Sequence, residues 1–239
     1  MKKLITSGCS FSECISSHID TWPRHLARAM PEYQHISKAM SSQGNALISR
    51  SIIYEVNKQL KTNSAEEILV GVVWSGPNRH ESYIDIDDMS AKEWKNVDGW
   101  IENPTGFIKE YKTWEILNHH WTRPKSQIYY KHFYSEVGDY IQTLENILRT
   151  QWFLEKYNIK YFMSTYTNSV FPANVENSKY YECKHLYDEI NFKKFLPIEG
   201  IKEWCKDNTG LDLSSDNLHP STEQHKMFVE QVILPFGFK

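Results

Sequence analysis

Two spacings of apolar residues alternate along the first part of the chain. Residues 3–7 (KLITS) form a short apolar run that ends at Gly8, the pattern of a buried strand. Residues 22–30 (WPRHLARAM) read as a helix, with Pro23 in the first turn, where a missing N–H costs nothing. A weaker strand fits 33–39. From Asn45 to Leu60 the apolar positions Leu47, Ile48, Ile52, Val56 and Leu60 recur every three to four residues, which places them on one helix face. Residues 67–74 (EILVGVVW) are the longest unbroken apolar strand pattern, as expected of a parallel strand covered on both faces.

Periodicity is lost over 80–131. It returns at 133–157, where Val137, Ile141, Leu144, Leu148 and Phe153 mark a helix. Residues 161–165 (YFMST) suit another strand, and 198–208 a short helix. A closing helix is expected over 221–234, with Ser221 as its N-cap and Gln224 completing a capping box. Neither internal repeats nor low-complexity tracts interrupt this order. Strands alternating with helices predict an α/β layered fold with a mostly parallel sheet.

In such sheets ligands gather beyond the carboxyl ends of the strands. The residues at those places are Gly8-Cys9-Ser10, Gln43-Gly44-Asn45 and Gly76-Pro77-Asn78-Arg79, with Asp216-Asn217-Leu218-His219 before the last helix. Together they hold the parts for acyl transfer. Ser10 is the candidate nucleophile, weak until a base takes its proton. His219 is the candidate base, and Asp216 would fix its tautomer and stabilise the imidazolium. The backbone N–H groups of Ser10 and Gly44 and the side-chain amide of Asn78 are candidate oxyanion donors. Arg79 and Asn45 are candidate substrate contacts, with Arg79 favouring an acidic substrate. Each motif also has a plain reading. Ser10 and Asn78 suit turns, Gly44 a helix entry, and Asp216 a helix cap. His119, His120 and His225 read as solvated or structural. Cys9 is an alternative nucleophile with no matched base.

The order Ser, Gly, Asn, Asp-x-x-His resembles the SGNH hydrolase superfamily, also called GDSL esterases and lipases. The resemblance runs from Lys3 to about Leu234 and implies a flavodoxin-like three-layer α/β/α sandwich. It implies a Ser10-His219-Asp216 triad, an oxyanion hole of Ser10, Gly44 and Asn78, and neither metal nor organic cofactor. Cys9 stands where the family usually has Asp, and Arg79 where it usually has a second acidic residue. A small acyl group on a carbohydrate is the preferred substrate. The alternatives are a glycan-binding or assembly protein that keeps the fold without turnover, and an O-acyltransferase. One domain spanning 1–239 is expected, with insertions at about 80–131 and 166–198 that have no counterpart in the family.

Composition narrows the partners. The net charge is −3 and Lys outnumbers Arg by 21 to 6, so neither nucleic acid nor an anionic membrane is expected to bind. The basic start is followed by only Leu4 and Ile5, too little for a signal peptide, and no run is long enough to span a bilayer, so a cytoplasmic location is expected. Cys9, Cys14, Cys183 and Cys205 match no zinc spacing and read as thiols, with a Cys183–Cys205 bridge left open. Aromatic residues make up 14% of the chain, and four of the 8 tryptophans (Trp94, Trp100, Trp114 and Trp121) lie in 80–131. That segment suits an aromatic lid, a substrate wall, or an interface between copies of the chain.

Overall fold

The computed structural model describes residues 1–13, 19–84, 100–101, 113–119, 124–171, 175–176 and 178–238. Four parallel strands form the central sheet in the order β2-β1-β3-β7: β1 (Lys2–Ser7), β2 (Tyr33–Ser37), β3 (Ile68–Trp74) and β7 (Lys160–Thr165). Helices flank it on both sides, so the α/β architecture read from the sequence is the one observed.

The alternation of side chains along a strand explains why β3 is apolar throughout. Ile68, Val70, Val72 and Trp74 face one layer, with α2 (Asn45–Gln59) and α4 (Glu136–Lys156). Leu69 and Val73 face the other layer, with α1 (Trp22–Ala29), α5 (Ile201–Asn208) and the C-terminal helix α6 (Thr222–Phe228). Gly71 lies between Leu69 and Val73, where an added Cβ would sit 2.6 Å from Phe162 and 3.0 Å from Trp22. The missing side chain is filled by those two rings, which pack edge to face at 5.7 Å. The expected capping box starts α6: Ser221 and Gln224 each bond the other's backbone. The helix then passes through a π-helical stretch, Val229–Ile233.

Two features were not expected. Within 80–131 the chain forms an antiparallel sheet in the order β4-β6-β5, from β4 (Arg79–Ile84), β5 (Trp100–Ile101) and β6 (Thr113–Asn118), followed by α3 (Pro124–His132). Trp94, Tyr111 and Trp121, which make the segment aromatic in the sequence, lie outside the described residues, as do His120 and Cys14. At the outer edge of β7, Phe195 forms a single parallel bridge with Met163, so one residue of 166–198 stands where a fifth strand would run.

Cys183 and Cys205 are free and buried in the layers on opposite faces of the sheet, so the bridge that spacing left open does not form. Burial pushes the Cys205 thiol up to about 12. No helix among the described residues is long and apolar enough to cross a membrane.

Candidate active site

Ser10 follows the carboxyl end of β1 on a turn closed by the Ser12 N–H donating to the Cys9 carbonyl at 2.9 Å. Gly8 lets this turn lie against β3: a Cβ there would meet Ser12 Oγ at 2.4 Å and the Val73 carbonyl at 2.9 Å. The Trp22 indole N–H donates to Ser12 Oγ at 2.9 Å and fixes the far side of the turn. Cys9 points into the core and is fully buried, so the neighbouring thiol does not share the position of Ser10.

Asp216 builds the loop that carries His219. Its Oδ1 accepts from the backbone N–H groups of Leu218 and His219 at 2.8 and 2.9 Å and from the Ser214 hydroxyl at 2.8 Å. Asn217 adopts the left-handed conformation at φ 56°, which asparagine tolerates better than most residues. The other oxygen, Oδ2, lies 2.5 Å from His219 Nδ1. Burial works against the Asp216 charge, but the bonds from His219, Leu218 and Ser214 outweigh it and hold the carboxyl well below the usual range. Asp216 is not a helix cap, because Ser221 takes that role.

His219 Nε2 lies 2.7 Å from Ser10 Oγ. Hydroxyl, imidazole and carboxylate therefore stand in series. Phe11 packs on the His219 ring at 4.9 Å and edge to face on Tyr166 at 5.3 Å, supporting the imidazole from the side. Tyr166 belongs to this support although nothing in its sequence context marks it beyond its place just past β7.

The remaining candidates are less simply placed. Asn78 lies on the turn after β3, with Oδ1 2.8 Å from the position a Gly76 Cβ would take. Its carbonyl accepts from the Tyr130 hydroxyl of α3 at 2.6 Å. Gly44 precedes α2, beside the buried carboxyl of Glu81 from β4. A Cβ at Gly44 would meet that carboxyl at 2.4 Å and the Arg79 carbonyl at 2.8 Å. Glycine is thus required there, but for the approach of β4. The Glu81 carboxyl therefore crowds the place where the Gly44 N–H is expected to serve an oxyanion hole.

Asn45 does not reach the site as a substrate contact. It is buried, its amide donates to the Ser75 carbonyl at 3.0 Å and Thr143 Oγ1 at 3.1 Å, and its oxygen accepts from the Ser75 N–H at 2.8 Å. It clamps the end of β3 to α2 and α4. Arg79 donates to the Gln43 carbonyl at 3.3 Å and lies over the Tyr166 ring at 5.7 Å, so its charge is held in loop packing. Ser10 and His219 open onto a cavity of about 350 Å³, and Arg79 is not among its described lining residues.

The four parallel strands with helices on both faces make an α/β layered fold. The chain itself belongs to the family described as "Family of unknown function (DUF6071)", whose model matches residues 10–234. Among solved structures it is similar to TesA, with 13% identity, 98% of this chain and 97% of that chain covered, and a TM-score of 0.50; this likeness concerns the fold alone. A second structure, described as a GDSL-like lipase from Parabacteroides merdae, is 12% identical with 96% of each chain covered and a TM-score of 0.36. No curated protein matches the sequence.

Proposed function

We propose that the protein is a serine-dependent ester hydrolase of SGNH type. One observation carries the reading: Ser10 Oγ lies 2.7 Å from His219 Nε2, and His219 Nδ1 lies 2.5 Å from Asp216 Oδ2. In this reading Ser10 Oγ attacks the ester carbonyl carbon while its proton passes to Nε2. The Ser10 N–H and the Asn78 amide are the proposed donors to the tetrahedral oxyanion. His219 then returns the proton to the alcohol oxygen as the C–O bond breaks, leaving the acyl group on Ser10. Water attacks that acyl group, its proton passes to His219, and the acid leaves as Ser10 recovers its hydrogen. Asp216 holds the imidazole tautomer and balances the imidazolium throughout.

The substrate we favour is a small acyl ester of a carbohydrate. A fluorophosphonate probe should label the wild type and not Ser10→Ala; equal labelling of both would sink the assignment. A second reading, a binding protein on the same fold, draws on the crowding of Gly44 by the Glu81 carboxyl, 2.4 Å from where a Cβ would sit. It predicts ligand binding that survives Ser10→Ala, with no turnover by the wild type.

A further inference from the structure

The cavity beside Ser10 has a chemical character of its own. Glu13, Ser41, Asp216, His219 and His225 line it with Ser10, and Ile19 is the one aliphatic side chain among its described lining residues. Neither Lys nor Arg is among them. Nine of its ten described lining residues carry a hydroxyl, carboxyl or imidazole group that can exchange hydrogen bonds with a ligand.

His225 gives the sharper clue. It projects from α6, is 0% exposed, and neither ring nitrogen has a hydrogen-bond partner among the described residues. Burial, with His25 and His219 nearby, pulls its pKa down to about 3, so the ring is neutral at ordinary pH. A neutral imidazole offers one donor and one acceptor. A hydroxyl group is itself both donor and acceptor, and so can engage either nitrogen. Glu13, buried and accepting from the Ser41 hydroxyl, adds a carboxylate acceptor on the same wall.

The position of His219 decides which half of an ester enters. His219 must protonate the departing alcohol oxygen, so that oxygen leaves on the imidazole side. The cavity lies on that side: His219 and Asp216 line it, whereas Gly44 and Asn78 do not. We propose that this cavity is the subsite for the alcohol part of the ester, and that His225 selects alcohols carrying a further hydroxyl group. The proposal rests on the ester-hydrolase reading and adds a specificity residue to it.

The test compares glycerol monoacetate with pentyl acetate, whose alcohol parts have the same number of heavy atoms. The kcat/KM ratio of the two should favour the glycerol ester in the wild type. It should fall about tenfold or more in His225→Phe, the cost of an unmet buried hydrogen bond. His225→Gln, which keeps a donor and an acceptor, should retain part of the preference. An equal loss on both esters in His225→Phe would mark the residue as structural and overturn the proposal. A wild-type ratio of one or less would overturn it whatever the stability of the variants. Should the wild type cleave neither ester and resist the fluorophosphonate probe, the ester-hydrolase reading itself fails; Ser10-dependent cleavage without discrimination defeats only the subsite.

Discussion

Replacing Glu81 with Gln should make the protein more stable, and increasingly so as the pH rises. Glu81 is almost fully buried, with its carboxyl against the N-terminus of α2. Burial raises its pKa from 4.5 to about 7, against the lowering effects of Arg50, Arg79 and the N–H groups of Leu47 and Gly44. A carboxyl whose folded pKa is raised holds its proton in the folded state after the unfolded chain has released it. Its contribution is therefore most favourable below 4.5 and is lost as the pH climbs through about 7. At about 1.4 kcal/mol per pH unit, the full loss is roughly 3 kcal/mol. Gln has nearly the same shape and does not titrate. The advantage of Glu81→Gln over wild type should grow from roughly 1 kcal/mol at pH 5 to roughly 3 kcal/mol at pH 8. Urea unfolding of both proteins at the two pH values measures it, with unchanged m-values as the check on two-state behaviour. An advantage that stays flat or shrinks over that range would refute the account of Glu81 as an acid kept neutral by burial.

Three further outcomes follow from the geometry. Asp216→Asn should leave Ser10 in place but lower kcat/KM for an aryl acetate by about 10³- to 10⁴-fold, because the amide no longer fixes the imidazole tautomer; a loss under tenfold would count against the triad. Arg79→Ala should lower kcat/KM equally for neutral and acidic esters, since its guanidinium is held by the Gln43 carbonyl and Tyr166; a loss confined to acidic esters would restore a charge-recognition role. Lys38→Met should destabilise the fold by about 3–5 kcal/mol in chemical denaturation, by stranding Glu55 from a partner 2.8 Å away in a pair only 6% and 3% exposed. The Glu55 pKa is lowered, because bonds from Lys38 and Gln59 outweigh burial, so the wild-type pair should lose its contribution as the pH falls below the ordinary carboxylate range.

The centre of the parallel sheet was legible because β3 is buried on both faces and so carries an unbroken apolar run, whereas the half-buried edge strand β2 gives a weaker pattern. The capping box of Ser221 and Gln224 was legible because it needs only local spacing. The second sheet was not. β4 reads RHESYI, and its buried Glu81 breaks the alternation that would mark a core-facing strand. β5 is two residues long and offers no period at all. Around the site, the order Ser10, Gly44, Asn78, Asp216 and His219 located the loops. It did not give the direction of each side chain, so the inward turn of Asn45 and the approach of the Glu81 carboxyl to Gly44 were hidden. His225 reads in the sequence as solvated or structural, because a histidine inside a helix gives no signal of its burial.

Ser10 and His219 stand 209 positions apart, and the Asp20 N–H bonds Thr222 Oγ1 across 202. Closing so long a loop costs chain entropy that only the packed core can offset. The hydroxyl and the imidazole therefore meet only where the packed sheet and α6 hold these two distant segments together. A growing chain carries Ser10 from the beginning without a base beside it. Any nucleophilic reactivity of that serine would then report that both ends of the molecule are in place, and would vanish first when the C-terminal helix frays.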